Sequence, residues 1–350
     1  MRPEQWQVFK TVAKGQLAAH TPLALIVDSP WIPGYLGINH LDYYLEPDVW
    51  FESNLKIARE FADVILFPSW WIEYGMAIEP SAIGARIHFY PDRTPDVVPS
   101  LLHEDDVDRL APVNPATDGF MALALHLYGT QCRRIFDAGF TVPVVASRGP
   151  LCTAAFVRGL NEFMLDLAEH PEAAERLIAF STDAVIAWLK AQAAAIGSSV
   201  EGIFVLDDIA GFLSRRMYQN FAHPYLKRIC DAFPASWVKV YHNDANIRPF
   251  LADLPDSGFD VLNFSYNIDI AEAWDKTRGR MCLMGNVNPL EIGVQGSPEQ
   301  VQQAASEVLR KMQGKPMILS LGGGVSPAMP GRNIRAMVEA VRGFASRINV

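Results

Sequence analysis

The chain has 350 residues, with 39 acidic and 30 basic side chains and a formal net charge of −9. Hydrophobic residues make up 50% and charged residues 20%, which supports a large core and excludes intrinsic disorder. An acidic chain without a lysine or arginine run is not typical of nucleic-acid binding. No segment reaches the ~18–20 apolar residues of a spanning helix, a signal peptide is not indicated, and the four cysteines form no CxxC motif. We therefore expect a reduced, cytoplasmic protein that binds neither nucleic acid nor membrane.

Short apolar, β-branched runs alternate with longer helical segments. The eight predicted strands are Leu23–Val27, Val64–Phe67, Val142–Ala146, Gly202–Leu206, Val238–Tyr241, Val261–Phe264, Met281–Met284 and Met317–Ser320. Arg86–Phe89 is expected to form an excursion beside the second strand. Continuously apolar strands separated by helices indicate a parallel sheet covered on both faces. We predict an α/β fold with one domain over residues 1–350, a (β/α)8 TIM barrel elaborated over roughly residues 29–140.

Helical spacing, first-turn prolines and glycine stops mark seven segments as helices. They are Asp48–Ala62, Phe156–Ala168, Glu172–Ile196, Gln219–Ala232, Ile247–Leu254, Pro298–Met312 and Arg332–Ile348.

Polar residues follow most of the predicted strands. The active site of a (β/α)8 barrel gathers at the carboxyl ends of its strands, so these residues are its candidates. They are Asp28, Pro68–Trp71, Ser147 and Arg148, Asp207 and Asp208, His242–Asp244, Ser265–Asn267, Gly285–Pro289 and Gly322–Gly324. The group contains carboxylates, an imidazole and several amides, which is more than strand-end turns require. We predict that they converge on one functional site.

His242 and Asp244 leave the same strand two residues apart, so their side chains can point the same way. Such a pair binds a divalent metal or forms a base with its orienting partner, and a structural histidine is an equal alternative. Gly322–Gly324 is either a phosphate-binding loop or only a tight turn.

Asp207 and Asp208 are adjacent at a strand end, so their side chains are expected to point to opposite faces. One would enter the barrel mouth, where burial raises a carboxyl pKa and suits it to proton handling. The other would cap the next helix or pair with Arg215 or Arg216.

Aromatic residues crowd the N-terminal half of the chain. They either build a pocket for an aromatic ring or a quaternary ammonium group, or cover the elaborated end of the barrel. The residues are Trp31, Tyr43, Tyr44, Trp70, Trp71 and Tyr74.

Several short motifs occur in a fixed order along the chain. They are Gly149–Thr153, Asp207–Gly211 with Ser214, Pro224 and Tyr225 before Lys227–Ile229, the turn at His242, Gly285–Pro289, and Gly322–Pro327 leading to Asn333–Val338. In this order they resemble the uroporphyrinogen decarboxylase superfamily, over roughly Glu79 to the C-terminus. The resemblance implies a (β/α)8 barrel with one of two activities. One is cofactor-free decarboxylation of a porphyrinogen, and the other is methyl transfer between a substrate or thiol and the cobalt of a corrinoid protein.

The sequence departs from both branches of that superfamily. The decarboxylases grip substrate carboxylates with an arginine-rich segment, whereas Pro33–His40 contains no arginine, which disfavours an octa-acid tetrapyrrole. The thiol-activating methyltransferases bind zinc through one histidine and two cysteines. His242 matches that histidine, but Asp244 and Gly323 stand where the cysteines are expected. Either a metal is held by His242 and Asp244 with a further ligand such as Cys282, or no metal is bound.

The resemblance favours a corrinoid (cobalamin)-dependent methyltransferase, or demethylase, acting on a small O- or N-methylated compound. The corrinoid would be free or carried on a partner protein, zinc is the candidate metal, and a homodimer is left open. The predicted catalytic residues are His242, Asp244, Asp207 and Asn286, and the predicted substrate-binding residues are Asp208, Tyr266, Trp70, Trp71, Tyr74 and Asn288. The alternatives are a cofactor-free decarboxylase or lyase for a small acid or a tetrapyrrole, and a non-catalytic barrel that binds a tetrapyrrole or corrinoid.

Overall fold

The structure is a computed structural model that describes residues 1–348, with side chains over residues 1–345. Its strands are β1 (Ala24–Ile26), β2 (Ile65–Phe67), β3 (Arg86–His88), β4 (Asp96–Val98), β5 (Val144–Arg148), β6 (Gly202–Leu206), β7 (Val238–Asn243), β8 (Val261–Phe264), β9 (Cys282–Val287) and β10 (Met317–Leu321). Its α-helices are α1 (Pro3–Ala13), α2 (Trp31–Leu36), α3 (His40–Leu45), α4 (Pro47–Glu60), α5 (Ile78–Ala82), α6 (Gly119–Asp137), α7 (Pro150–Arg158), α8 (Leu160–Glu169), α9 (Pro171–Ile196), α10 (Arg215–Phe221), α11 (His223–Asp231), α12 (Ile270–Lys276), α13 (Pro298–Lys311) and α14 (Gly331–Ile348).

Eight of the strands run parallel in chain order around a barrel. β5 to β10 form one six-stranded sheet, β1 pairs with β2, and a backbone bridge between Leu23 and Leu319 connects β1 to β10. Met1 lies across the seam between β2 and β5. Its ammonium group donates a hydrogen bond to Ser69 Oγ, and its carbonyl accepts one from Thr141 N (2.8 Å).

An apolar cluster fills the inside of this barrel. Each of the eight parallel strands contributes to it, as Phe67, Phe204 and Met284 illustrate. α1 closes the amino end of the barrel, where Phe9 stacks on Phe67 with ring centroids 4.9 Å apart. A second and larger cluster lies between the strands and the surrounding helices. The predicted α/β barrel with eight strands is confirmed, and the predicted strand ends agree with the structure to within three residues.

The elaborated region adds a small hairpin to the barrel. Here β3 pairs antiparallel with β4, so the predicted excursion at Arg86–Phe89 is a two-stranded sheet of its own. Across residues 1–348, no helix has the length and apolar character needed to cross a membrane. The four cysteines are buried and free.

Two predicted helices are each divided in the structure. Phe156–Ala168 is wrong as one helix because Gly159 separates α7 from α8 with φ of +93°, a conformation that L side chains rarely adopt. Gln219–Ala232 falls into α10 and α11. Pro224 lies in the first turn of α11, where a missing N–H is tolerated, but it cannot continue a preceding helix.

The predicted helix Ile247–Leu254 is wrong. Its residues form successive turns that lead into a short 3₁₀ segment at Leu254–Ser257. Pro249 and Pro255 each lack the N–H that a helix interior requires, so the backbone turns while its apolar side chains remain buried.

Candidate functional site

His242, Asp208 and Asp244 meet at the carboxyl ends of β6 and β7. His242 lies near the end of β7, level with Leu206 of β6, and Asp208 begins the turn after β6. His242 Nε2 is 3.4 Å from Asp208 Oδ1 and 4.0 Å from Asp244 Oδ2. One ligand atom of each residue lies within 4.8 Å of the other two. The prediction that His242 and Asp244 point the same way holds, and Asp208 completes a triad of possible metal ligands.

Asn263 fixes the orientation of His242. Its amide nitrogen donates to Met284 O (2.8 Å) and Leu321 O (3.0 Å), so its carbonyl oxygen must face His242 Nδ1, 2.7 Å away. Because an amide oxygen only accepts, Nδ1 carries the hydrogen. Nε2 therefore points towards Asp208 and either holds a proton or offers a lone pair.

This arrangement fits a divalent cation. When Nδ1 carries the hydrogen, the Nε2 lone pair of a neutral imidazole points towards the carboxylates of Asp208 and Asp244. Three electron-rich groups this close repel one another unless a proton or a cation lies between them. Loss of solvation and the nearby charge of Asp208 raise the pKa of Asp244, while His242 and Arg148 oppose the rise. Zinc binds both imidazole nitrogen and carboxylate oxygen, and three protein ligands with an open fourth position are typical of a catalytic zinc site.

Asp207 does not occupy the mouth, which corrects its assignment as a catalytic proton donor. Its carboxylate is fully buried and accepts hydrogen bonds from Cys152 N (2.7 Å) and Leu151 N (3.4 Å) in the first turn of α7. Burial raises the pKa of Asp207 to about 7 although these bonds lower it. Of the two adjacent aspartates, Asp208 enters the site and Asp207 caps a helix, which is α7 rather than the next one. The proposed pairing with Arg215 is wrong, because Arg215 pairs with Asp253 at 2.7 Å.

A buried ion pair lies beside the triad. Arg148, at the end of β5, approaches Glu73 Oε2 at 3.4 Å, and both side chains are almost fully buried. Glu73 also accepts hydrogen bonds from the amide and the hydroxyl of Ser29 (2.8 and 2.6 Å). The charge of Arg148 acts on Asp208 and Asp244 too, so the pair belongs to the same mouth.

Asp28, directly after β1, faces this ion pair. Loss of solvation and the negative charge of Glu73 raise the pKa of Asp28 to about 8, and Arg148 only partly opposes the rise. Asp28 therefore holds a proton at neutral pH. Burial likewise raises the pKa of Glu79, which accepts hydrogen bonds from Ser147 Oγ and from the backbone of Arg148 (2.7 and 2.9 Å).

The Gly322–Gly324 turn lies between two acidic side chains. A β-carbon on Gly323 would lie 2.8 Å from Asp244 Oδ2, and one on Gly324 would lie 3.9 Å from Asp28 Oδ2. The glycines let the turn pass close to these carboxyl groups. Carboxyl groups supply no positive charge to hold a phosphate, so the tight-turn alternative is favoured over the phosphate loop.

Asn286 and Asn288 hold loops. Asn286 donates to the carbonyls of Ser265 and Ile268 (3.4 and 2.6 Å), and no contact within the described residues connects its side chain to the triad. Asn288 caps the π-helical segment Pro289–Val294 by accepting from two backbone amides at 3.0 Å. Their predicted contacts with substrate and leaving group find no support in this geometry.

The backbone of Tyr266 packs against the glycine turn, where a β-carbon on Gly322 would lie 2.5 Å from Tyr266 N. The residue is 41% exposed and borders a groove with Asn286, outside the cavity that contains Arg148. Its predicted role as a pocket wall finds no support in this position.

Cys282 is wrong as a metal ligand. It is the first residue of β9 and pairs with Val261, two residues before the level of Asn263 and Met284. Because His242 is level with Asn263, Cys282 lies deeper in the barrel, within the apolar cluster. The third candidate ligand is Asp208.

The aromatic residues divide between the core and the mouth. Trp70 stacks on Phe51 with ring centroids 5.3 Å apart, and Tyr74 packs among other rings of the elaborated region. Trp71 lies under Arg148, whose guanidinium carbon is 5.4 Å from the ring centroid. Among the three predicted pocket residues, Trp71 therefore packs against an ionic side chain of the mouth, that of Arg148.

Sequence reasoning did not assign Asn263 or Glu73 to the site, and it named Asp28 among the strand-end candidates without giving it a role. A lone amide in the buried run of β8 is the signal that points to Asn263, since buried polar groups need hydrogen-bond partners. Glu73 carried no comparable signal, because it follows β2 by six residues.

The sequence profile described as "Uroporphyrinogen decarboxylase (URO-D)" matches residues 33–344. The chain belongs to this family. The uroporphyrinogen decarboxylase of Chloroherpeton thalassium is 28% identical to it, over 83% of this chain and 83% of that one. The uroporphyrinogen decarboxylase of Chlorobium limicola is 29% identical, over 97% of this chain and 98% of that one. A methyltransferase from Methanosarcina mazei has the same fold, with a TM-score of 0.84 over 97% of this chain and 98% of that one, at 20% identity. A B12-independent methionine synthase from a Shewanella species is more distant, with a TM-score of 0.60 at 12% identity over 94% and 98% of the chains.

Proposed function

We propose that this URO-D family member is a methyltransferase that moves a methyl group between a small O- or N-methylated compound and a corrinoid. The Asp208–His242–Asp244 triad is the observation that carries this proposal. Its single imidazole nitrogen and two carboxylates suit a hard, Lewis-acidic zinc centre rather than a thiolate-activating one. The fold shared with a methyltransferase supports the same reading.

The residues of the mouth would have different roles in this reaction. Zinc held by the triad would supply a Lewis acid for the heteroatom that carries the methyl group, and a corrinoid, free or on a partner protein, would supply the nucleophile. His242 offers Nε2 because Asn263 keeps the hydrogen on Nδ1. Asp28 holds a proton that a departing alkoxide can take, so that an O-methyl substrate leaves as an alcohol.

The charges of the mouth argue against a polycarboxylate substrate. Within residues 1–345 the mouth offers one guanidinium, that of Arg148, and it is already paired with Glu73. A tetrapyrrole with many carboxylates would find too few cations here to pair with them. The missing arginine-rich segment at residues 33–40 agrees with this reading.

The second candidate is cofactor-free decarboxylation of a small acid. Two observations favour it: the relatives named as decarboxylases, and the proton that Asp28 holds at neutral pH. A carboxylic acid of this kind can protonate the carbanion left by CO2. The non-catalytic barrel ranks last, because the buried ionic groups converge on one mouth.

The test is a methyl-transfer assay with cob(I)alamin and a panel of methyl ethers and betaines. Formation of a methylated corrinoid and of the demethylated product is expected, with loss of both in Asp208→Asn and retention in Asp42→Asn, an exposed control with the same charge change. Folded protein that transfers no methyl group from any donor contradicts the proposal. Release of CO2 from a small acid without corrinoid would favour the second candidate.

A further inference from the structure

A cavity of about 530 Å³ opens at the mouth between the strand ends and the elaborated hairpin. Its polar lining includes Asp28, Glu73, Asp96 and Arg148. The rest of the wall is largely apolar, formed by Pro30, Met76, Pro95, Val97 and Phe156. The volume suits a small organic molecule, since ligand pockets are ~300–1,000 Å³.

The three carboxyl groups of the cavity differ in their partners. Glu73 is paired with Arg148 at 3.4 Å, and Asp96 is paired with Arg93 at 3.3 Å. Within residues 1–345, Asp28 has no side-chain hydrogen bond or salt bridge, and the amide that bonds to it is its own. One carboxyl group thus faces the cavity without a cation of its own.

We propose that this cavity binds a small methylated ammonium compound, whose charge pairs with Asp28 and whose methyl groups contact the apolar wall. The inference rests on the proposed function and narrows its substrate class from O- or N-methylated to N-methylated. Glu73 and Arg148 neutralise each other, so the bound cation and Asp28 would form the second balanced pair of the cavity. The triad does not line this cavity, but the Gly322–Gly324 turn lies against both Asp244 and Asp28, which brings the bound ligand close to the triad.

The pairing makes binding depend on pH. The groups that act on Asp28 are Glu73, Arg148 and the phenols of Tyr43 and Tyr44. The pKa of Asp28 is about 8, so the carboxyl group is protonated below that pH and a cation must displace its proton. Because about 1% of Asp28 is ionised at pH 6 and about half at pH 8, the affinity for a permanent cation should rise about fiftyfold between them.

Calorimetric titration with choline tests the inference, with 3,3-dimethylbutan-1-ol as its uncharged analogue and acetate as an anion. Choline is expected to bind at pH 8 and about fiftyfold more weakly at pH 6, while the alcohol and acetate bind more weakly than choline at pH 8. Asp28→Asn resembles the protonated side chain and should fold. Its choline affinity should be low at both pH values, whereas Asp42→Asn, an exposed control, should behave as the wild type.

The outcomes separate this inference from the proposed function. Equal affinity for choline and the alcohol, no choline binding by folded protein, or unchanged binding by Asp28→Asn would overturn the cavity assignment. Choline binding that depends on Asp28, without methyl transfer from any donor to cob(I)alamin, would uphold the cavity and reject the proposed function. Methyl transfer from ethers without choline binding would uphold the proposed function and reject the cavity assignment.

Discussion

Replacing Asn263 by leucine removes the group that orients His242 while keeping a similar side-chain volume. Asn263 is fully buried and makes three hydrogen bonds, of 2.7, 2.8 and 3.0 Å. The two bonds to backbone carbonyls cost about 1 kcal/mol each, and the buried His242 N–H left without an acceptor costs about 1–3 kcal/mol. The variant should therefore lose about 3–5 kcal/mol of unfolding free energy, out of the roughly 5–15 kcal/mol that holds a folded domain. It should still fold, with His242 free to turn.

Urea unfolding and zinc titration measure the two consequences of Asn263→Leu. We expect a lower unfolding midpoint and a zinc affinity that falls about 10–100-fold, as is usual when the partner of a metal-binding histidine is removed. Asn267→Leu, in the exposed loop after β8, is the matched control and should change stability by less than about 0.5 kcal/mol. If Asn263→Leu unfolds and binds zinc as this control does, the orienting role of the amide is refuted.

Three further substitutions test other parts of the structure. Gly149→Ala should lower the unfolding free energy by about 1–3 kcal/mol, because a β-carbon there would lie 2.4 Å from the Asp207 side chain that caps α7. The control is Gly343→Ala, in open space on α14, which should not lower the urea midpoint. Equal losses of stability in the two variants would contradict the packing argument. Arg148→Met leaves Glu73 buried without its ion pair, at a cost of about 3–5 kcal/mol. Burial already raises the pKa of Glu73, and loss of Arg148 raises it further. The destabilisation is therefore absent below the pKa of Glu73 in the unfolded chain and grows until the pH passes its pKa in the folded variant. A melting temperature lowered by the same amount at pH 4 and pH 8 would contradict this reasoning. Cys282→Ser should leave zinc content unchanged, and a loss of zinc would restore the cysteine as a ligand.

The barrel strands could be predicted because both of their faces are buried, which leaves continuous apolar runs such as Val261–Phe264. Helix α6 was not among the predicted helices, and its apolar segment Met121–Leu125 is no longer than a strand. A short apolar run does not distinguish a strand from a buried helix by periodicity alone. The breaks at Gly159 and Ala222 were missed because helical spacing continues across them.

Local spacing along the sequence predicted part of the candidate site, the pair His242 and Asp244. His242 and Asp244 are two residues apart on one strand, so their common direction could be read directly. The choice between Asp207 and Asp208 could not, because alternation places them on opposite faces without saying which face is the mouth. Glu73 and Arg148 are 75 residues apart and meet only when the barrel closes. Long-range contacts of this kind leave no trace in residue spacing.

The zinc content of two adjacent aspartate variants decides whether Asp208 is a metal ligand. Protein purified without chelator and dialysed against zinc should hold about one ion per chain. Asp208→Asn, which removes a ligand of the triad, should lose that ion, whereas Asp207→Asn, which alters only the cap of α7, should retain it. A wild-type protein that binds no zinc, or an ion that is lost from Asp207→Asn and kept by Asp208→Asn, would contradict the assignment of the metal site.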